Sequence, residues 1–164
     1  MNITLIAAVS SNLGIGKDNQ LLFRIREDMA RFKFLTEGNT VIMGRKTWES
    51  LPDGFRPLPY RDNIVVTRNR RYSAPGGGVA HSFDEALLKA AHEDVYVIGG
   101  AELYQIALPY AKTLELTEVE GYMPADAFFP QFNQDDWDVV FESGGNVDRI
   151  TGLAYRFKTY RLKD

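Results

Sequence analysis

The chain contains no cysteine among its 164 residues. Disulfide bonds, zinc sites built from thiolates and cysteine nucleophiles are therefore excluded. Histidine is scarce as well, because only His81 and His92 occur, and neither lies in an HExxH motif. A histidine metal site and a Ser-His-Asp triad are therefore not expected, and we predict no metal. Chemistry must rest on carboxylates, hydroxyls, basic groups, backbone amides or a bound cofactor.

Long hydrophobic runs and a strong charge imbalance are also absent. No apolar run reaches about 18 residues, so no membrane-spanning helix is expected. The first residues, MNITLIAAVSS, are short and lack a charged leading region, which favours a strand over a signal peptide. The formal net charge of −3 gives no reason to expect nucleic acid as a partner. Without a linker or repeat, we expect one domain over 1–164, in a cytoplasmic monomer.

Strand-like and helix-like runs alternate along the chain. Early runs such as ITLIAAV are apolar throughout, as strands covered on both faces are. This alternation predicts an α/β fold with a mainly parallel sheet, and the last two strand runs predict an antiparallel pair at one edge. Segment 10–24 is interpreted as a long loop beside the first helix. The predicted strands are 3–9, 40–44, 63–67, 78–82, 95–99, 113–120, 137–143 and 154–162, and the predicted helices are 25–36, 45–51, 84–93 and 101–108.

Three predicted strands end in residues that suit phosphate. The first is followed by the cations Arg45–Lys46 at a helix start, the second by the glycine pair Gly99–Gly100, and the third by Thr67–Arg68. Taken singly, these are also explained by solvated basic loops or tight turns. Because parallel strands end at the same edge of a sheet, the three together favour a ligand such as NADP(H). The GxGxxG fingerprint and the P-loop are both absent.

One carboxylate lies on the apolar side of the first predicted helix. At about 100° per residue, Asp28 falls on the arc formed by Ile25, Met29, Phe32 and Leu35. Burial there raises the pKa of a carboxylate toward neutrality, which suits proton transfer. Asp28 could instead be an ordinary first-turn acid that a nearby backbone amide satisfies. The glycine-bearing segment before it and the predicted phosphate edge favour the functional interpretation.

Seven segments resemble bacterial dihydrofolate reductases, in the same order and over nearly the whole chain. They are LIAAV, LGIGKDNQL, EDMARFK, VIMGRKTWESL, RPLPYRDNIVVTR, VIGGAELY and DAFFP. The resemblance implies an eight-stranded, mainly parallel sheet with an antiparallel C-terminal strand, flanked by four helices. It implies NADPH-dependent reduction of 7,8-dihydrofolate to 5,6,7,8-tetrahydrofolate in one-carbon metabolism. It also implies binding of antifolate inhibitors such as trimethoprim.

The resemblance assigns roles to individual residues on the substrate side. Asp28 matches the acid of the pterin pocket, which would bind the pterin 2-amino group and N3 and promote protonation of N5 through water. Thr117 matches the hydroxyl partner of Asp28, although its residue type alone indicates only a β-branched strand position. Arg61 matches the clamp for the α-carboxylate of the glutamate tail, and Lys33 and Arg56 are expected to assist it. The rest of the pocket, each member of which is also explained as a core residue, would be Ile6, Ala8, Met29, Phe32, Leu51, Leu58, Ile98 and Tyr104.

On the cofactor side, Arg45, Thr67 and Arg68 match a 2′-phosphate site, which favours NADPH over NADH. Gly99–Gly100 matches a cis peptide of the family, and Ile15 belongs to a loop that closes over the nicotinamide. The backbone amides around 46–47 and 100–101 would hold the pyrophosphate. The full set of residues expected to contact NADPH is Ala8, Ile15, Gly16, Gly44, Arg45, Lys46, Thr47, Thr67, Arg68, Gly99, Gly100, Ala101, Leu103 and Tyr104.

Three positions depart from the family pattern. Leu22 replaces a proline, and Phe23, at a position that we assign to the catalytic site, replaces a tryptophan and lacks its N–H. We hypothesise altered loop dynamics and weaker binding of diaminopyrimidine inhibitors. Glu102 stands where a basic residue is often found, which puts its cofactor role in doubt.

Two other functions remain open. A reductase of a ribosylated pyrimidine in riboflavin synthesis would have the same fold, but Asp28 together with Arg61 favours a pterin with a glutamate tail. A nucleotide-binding module without catalysis would keep the phosphate sites and would not need Asp28.

Overall fold

The computed structural model describes residues 1–164 and contains twelve strands and four α-helices. The helices are α1 Arg26–Thr36, α2 Arg45–Ser50, α3 Phe83–Lys89 and α4 Ala101–Ala107. The strands are β1 Asn2–Val9, β2 Gly14–Lys17, β3 Gln20–Leu21, β4 Thr40–Gly44, β5 Asp62–Val66, β6 Gly78–Ala80, β7 Asp94–Val97, β8 Thr113–Val119, β9 Ala127–Phe128, β10 Trp137–Glu142, β11 Asn146–Val147 and β12 Ala154–Leu162.

The main sheet has the strand order β10-β12-β8-β1-β7-β4-β5-β6. The six strands from β8 to β6 in this order are parallel, whereas β12 is antiparallel to both β8 and β10. This confirms the predicted eight-stranded, mainly parallel sheet with an antiparallel C-terminal strand. The short strand β11 adds one further pairing to β12 outside this path.

All four predicted helices are present, but α3 is shorter than the predicted 84–93. It begins after Ser82, whose side chain accepts a hydrogen bond from the Glu85 amide, and it ends at Lys89. Ala90 is extended because the chain must turn there to enter β7, and His92 is held by a 2.9 Å contact with the Thr40 hydroxyl. No helix is long and apolar enough to cross a membrane.

The interpretation of 10–24 as one long loop is wrong. This segment contains β2 and β3, which pair with each other, and β2 also pairs with the distant strand β9 to form a second, three-stranded antiparallel sheet. Strands of four and two residues are too short for an alternating pattern to reveal them. Ile15, which was expected in a mobile loop, packs into the main hydrophobic core.

The strand β4 shows how the sheet is covered on both faces. Ile42 packs into the largest core cluster, which includes residues of α3 and α4. Its neighbours Val41 and Met43 point to the opposite face and pack with Trp48 of α2 and Val65 of β5. All three β4 side chains are fully buried, as the continuous apolar run predicts.

Candidate active site

The ends of three neighbouring strands meet at one edge of the main sheet. β7, β4 and β5 are adjacent and parallel, so their carboxyl ends lie side by side. The Gly44 amide, at the end of β4, donates a 2.8 Å hydrogen bond to the Gly99 carbonyl. A Cβ on Gly44 would lie 3.8 Å from both the Gly99 carbonyl oxygen and the Gly100 nitrogen. The predicted meeting of these strand ends is confirmed.

The turn between β7 and α4 presents bare backbone at this edge. The Gly99–Gly100 peptide bond is cis, as predicted, and Gly99 has a φ of 122°. A Cβ on Gly99 would lie 3.4 Å from the Tyr104 hydroxyl and 3.5 Å from Thr47 Oγ1. The turn is therefore a shallow cradle lined by backbone and two hydroxyl groups.

Substitution of Gly99 by alanine is expected to lower stability by about 1–3 kcal/mol, because its φ lies in a region that strains residues with a Cβ. Gly100 provides the matched control, since its φ is −87° and its Cβ would meet only Thr47 Oγ1, at 3.7 Å. Gly100→Ala should therefore change the free energy of unfolding by less than about 0.5 kcal/mol. Urea unfolding of both variants tests this difference, and equal losses would contradict it.

Asp28 lies in the first turn of α1 and bonds to a neighbouring strand. The Thr117 hydroxyl of β8 donates a 2.5 Å hydrogen bond to Asp28 Oδ1, and Thr117 pairs in register with Ala8 of β1. The partner is thus a side chain of the sheet and not a backbone amide. Burial raises the pKa of Asp28 above its usual range, while the Thr117 bond and the charge of Arg31 act in the opposite direction.

The helix that carries Asp28 is fastened to the sheet by a second polar contact. Arg31 Nη2 lies 3.0 Å from Glu115 Oε2, which also accepts a 2.8 Å bond from the Thr159 hydroxyl. The Arg31 guanidinium also lies over the rings of Phe141 and Phe157, at 5.2 and 4.9 Å from their centroids. Sequence reasoning missed this contact, although the two-residue spacing of Glu115 and Thr117 places both on one face of β8.

The apolar side of α1 is less covered than its pattern predicts. Met29 is 57% exposed and Phe32 is half-buried, and Thr36 is the one fully buried residue of the helix. Phe32 packs, together with Leu51 and Ile98, against the cluster that contains Leu58. The chain thus leaves part of an apolar helix face open beside Asp28.

Arg61 is held at the end of this face. Its Nε donates to the Pro59 carbonyl at 2.9 Å and its Nη1 to the Thr36 hydroxyl at 3.1 Å, while its guanidinium lies 5.8 Å from the Phe32 ring centroid. Nη2 makes no hydrogen bond within the chain. Partial burial lowers the pKa of Arg61, and the charge of Glu37 opposes this change.

Arg56 and Lys33, which were expected to assist Arg61, have different surroundings. Arg56 contacts Asp53 and the Glu49 carbonyl, each at 3.3 Å, and Lys33 is exposed without an ion-pair partner. Of these three side chains, Arg61 alone is held by hydrogen bonds that involve no carboxylate.

Two arginines of the strand-end edge already have carboxylate partners. Arg45 pairs with Glu49 at 2.8 Å, and Arg68 pairs with Glu102 of α4 at 3.0 Å. Thr67 Oγ1 accepts a 3.2 Å hydrogen bond from the Asn69 amide. Sequence reasoning gave no partner for Arg68, because its contact with Glu102 joins segments that only the fold brings together. The Arg45–Glu49 pair was also missed, although its four-residue spacing within one helix could have indicated it.

Tyr104 connects α4 to β1 within the same region. Its hydroxyl donates a 2.7 Å hydrogen bond to the Ile6 carbonyl, and burial raises the pKa of that hydroxyl. Leu103 is buried in the core beside it, whereas Ala101 and Lys46 lie at the helix starts and are partly or fully exposed.

Comparison with known proteins identifies the family. The family model described as dihydrofolate reductase matches residues 2–162. The chain belongs to the dihydrofolate reductase family. Dihydrofolate reductases of Neisseria meningitidis serogroup B and Neisseria gonorrhoeae are 48% and 44% identical to it over 161 residues, which is 98% of each chain. A solved dihydrofolate reductase of Enterococcus faecalis, in complex with NADP(H) and a compound named RAB-propyl, superposes with a TM-score of 0.89 at 32% identity and covers 99% of this chain and 97% of its own.

Membership of the dihydrofolate reductase family makes this chain an NADPH-dependent oxidoreductase that converts 7,8-dihydrofolate into 5,6,7,8-tetrahydrofolate. The family and fold that the sequence predicted are therefore confirmed. The reductase of the riboflavin pathway and the non-catalytic nucleotide module are set aside, because the match extends over nearly the whole chain.

The structure shows what Leu22 and Phe23 contact, at the two positions that depart from the family pattern. The Leu22 amide donates a 3.2 Å hydrogen bond to the Ile15 carbonyl of β2, which a proline could not form. Phe23 is buried in a cluster with Ile25, Val119 and Tyr155. In this dihydrofolate reductase, the segment before α1 is thus tied to β2 by one additional backbone bond.

Proposed function

We propose that Asp28 is the group that binds the pterin ring and supports its protonation during dihydrofolate reduction. The supporting observation is the position of its carboxylate. It is bonded to Thr117 and lies beside Met29 on an apolar face of α1 that is partly exposed. One carboxylate oxygen is engaged by the hydroxyl, which leaves the other for the pterin 2-amino group and N3. Bound NADPH supplies a hydride from nicotinamide C4 to pterin C6, and a proton must reach N5. Because Asp28 would bind the 2-amino and N3 side of the pterin, which is remote from N5, that proton would pass through water.

The apolar residues around Asp28 would shape the pocket for the rings of the substrate. Met29 and Phe32 of α1, with Leu51 and Ile98 across the opening, offer apolar surface that the chain itself leaves partly uncovered. Arg61 would bind the α-carboxylate of the glutamate tail. Its Nε and Nη1 bonds hold the guanidinium in place, so it does not lose side-chain freedom when the carboxylate binds.

The edge formed by the strand ends fits a dinucleotide. Gly44, Gly99 and Gly100 leave the backbone bare, and a Cβ on Gly99 would fill space next to Tyr104 and Thr47. The pyrophosphate would lie against this cradle and the backbone amides at its rim. Arg45, Thr67 and Arg68 would hold the 2′-phosphate, since a hydroxyl beside guanidinium groups suits a phosphate monoester.

The decisive experiment is the loss of NADPH absorbance with purified protein and dihydrofolate. We expect decay that depends on both compounds, and no decay when a ribosylated pyrimidine replaces dihydrofolate. Folded protein without dihydrofolate-dependent decay would refute the assignment of this site to folate reduction.

Leu22→Pro is expected to increase sensitivity to trimethoprim, because it removes the bond between the Leu22 amide and the Ile15 carbonyl and fixes φ beside β2. We expect a fall of about threefold to tenfold in the inhibition constant, which corresponds to the loss of one backbone hydrogen bond that opposes loop closure. Leu22→Ala is the matched control, since it keeps the amide and removes only the side chain. Equal inhibition of the wild type and Leu22→Pro would disprove the loop argument.

We further propose that residues 1–164 act as one domain in a cytoplasmic monomer. One chain supplies every residue of the proposed pterin and dinucleotide sites, so catalysis does not need a second copy. Light scattering coupled to size exclusion at assay concentrations tests this, and a stable dimer would contradict it.

A further inference from the structure

Glu102 lies beside the proposed 2′-phosphate site and forms an ion pair with Arg68, one of the residues proposed to bind the phosphate. It belongs to the first turn of α4, and its Oε1 lies 3.0 Å from Arg68 Nη2. Both side chains are largely exposed, at 89% for Arg68 and 73% for Glu102. An exposed ion pair of this kind contributes little to folding, so stability alone does not explain it.

The other arginine of the site has a different kind of partner. Glu49 pairs with Arg45 one helical turn away within α2, and its second oxygen accepts a 2.8 Å bond from the Tyr72 hydroxyl. Both carboxylate oxygens of Glu49 are therefore engaged by neighbouring side chains. Glu102 has no second partner in the chain, and its contact with Arg68 joins α4 to the segment after β5.

A phosphate dianion that binds Arg68 must compete with Glu102 or remain close to its negative charge. Both alternatives reduce the gain from the Arg68 contact. We propose that Glu102 is a specificity-determining residue that weakens recognition of the 2′-phosphate and so narrows the preference for NADPH over NADH. This inference rests on the proposed 2′-phosphate site at Arg45, Thr67 and Arg68.

The proposal is tested by measuring cofactor binding without turnover. Quenching of the intrinsic fluorescence of Trp48 and Trp137 gives the Kd of NADPH and of NADH for the wild type and Glu102→Gln. We expect the Kd of NADPH to fall about threefold to tenfold at low ionic strength, because a dianion about 5–7 Å away no longer meets a like charge. NADH lacks the 2′-phosphate, so its Kd should change by less than about twofold. The gain for NADPH should shrink at high salt, where exposed charges are screened.

Glu142→Gln is the matched control, because Glu142 also forms an exposed pair with an arginine, at 2.9 Å from Arg156, in β10 at the opposite edge of the sheet. It should leave both Kd values unchanged. An unchanged Kd of NADPH in Glu102→Gln would overturn the proposal. An equal gain for both cofactors would also overturn it, since Glu102 would then act on the shared pyrophosphate.

Arg68→Gln separates this inference from the site on which it rests. If the 2′-phosphate site is correct, this variant weakens NADPH binding and leaves NADH binding unchanged. If NADPH binding is not weakened, the phosphate site itself is wrong and the inference fails with it. If NADPH binding is weakened but Glu102→Gln has no effect, the site stands and only the role of Glu102 is rejected.

Discussion

Replacement of Asp28 by asparagine is expected to lower kcat for dihydrofolate by about a hundredfold to ten-thousandfold near neutral pH. The asparagine side chain has nearly the same shape, and its oxygen can still accept the Thr117 hydrogen bond. It cannot take up and release a proton, so it cannot supply the proton that reaches N5 of the pterin through water. Steady-state rates with saturating NADPH and dihydrofolate measure the effect.

The raised pKa of Asp28 determines the direction in which the rate changes with pH. Burial raises the pKa of Asp28, so in the wild type the group takes up its proton at a higher pH than an ordinary carboxyl group. The rate of hydride transfer should therefore fall as the pH rises through that raised pKa. In Asp28→Asn this transition disappears, and low pH should restore part of the rate because solvent protonates the substrate directly.

Stability provides the check that Asp28→Asn remains folded. Because the folded chain binds the Asp28 proton more tightly than the unfolded chain, ionisation of Asp28 opposes folding. This cost is absent at pH values below the unfolded pKa and appears as the pH rises through the folded pKa. The asparagine variant should therefore have a Tm equal to or higher than that of the wild type near neutral pH.

Asp84→Asn is the matched control for Asp28→Asn. Asp84 is also an acid in the first turn of a helix, α3, but it is exposed and distant from the proposed pocket. It should retain the wild-type rate and pH profile. Wild-type turnover of Asp28→Asn at neutral pH would show that the carboxylate has no part in the reaction.

The main sheet was predictable because its signals are local. Central strands such as β1 and β4 are apolar runs, β8 alternates apolar and polar residues, and the helices between strands follow from residue spacing, so order and fold class could be read from short windows. The small sheet was missed because its central strand, β2, pairs with β9 far along the chain, and because β2 and β3 are too short to show a pattern of their own. The early end of α3 was missed for a related reason, since tertiary contacts there outweigh helix propensity.

In the candidate site, too, features that depend on one segment could be predicted, and contacts between distant segments could not. The inward position of Asp28 follows from helical periodicity, which is a property of one segment. Its bond to Thr117 could be expected only through the family resemblance, because α1 and β8 are brought together by the fold. The contacts of Arg31 with Glu115 and of Arg68 with Glu102 were not foreseen, since neither sequence distance nor residue type specifies which opposite charges meet.

Loss of the Arg61 guanidinium is the second change for which we expect a large effect. Arg61→Leu should raise the KM for dihydrofolate about tenfold to 150-fold, because hydrogen bonds to charged groups contribute about 1.5–3 kcal/mol. The kcat should change much less, since the glutamate tail is bound equally in the ground state and the transition state. Steady-state kinetics with dihydrofolate varied at saturating NADPH separate the two parameters.

Two controls make this prediction specific to the tail carboxylate. Arg61→Lys keeps the positive charge but loses the two bonds to the Pro59 carbonyl and the Thr36 hydroxyl that orient the guanidinium. Its KM should therefore lie between those of the wild type and Arg61→Leu. A dihydropterin without the glutamate tail should be reduced equally well by all three proteins, because it offers no carboxylate to Arg61. If Arg61→Leu impaired reduction of that truncated substrate as strongly as reduction of dihydrofolate, Arg61 would be supporting the pocket through Thr36 and Phe32 and would not be recognising the tail.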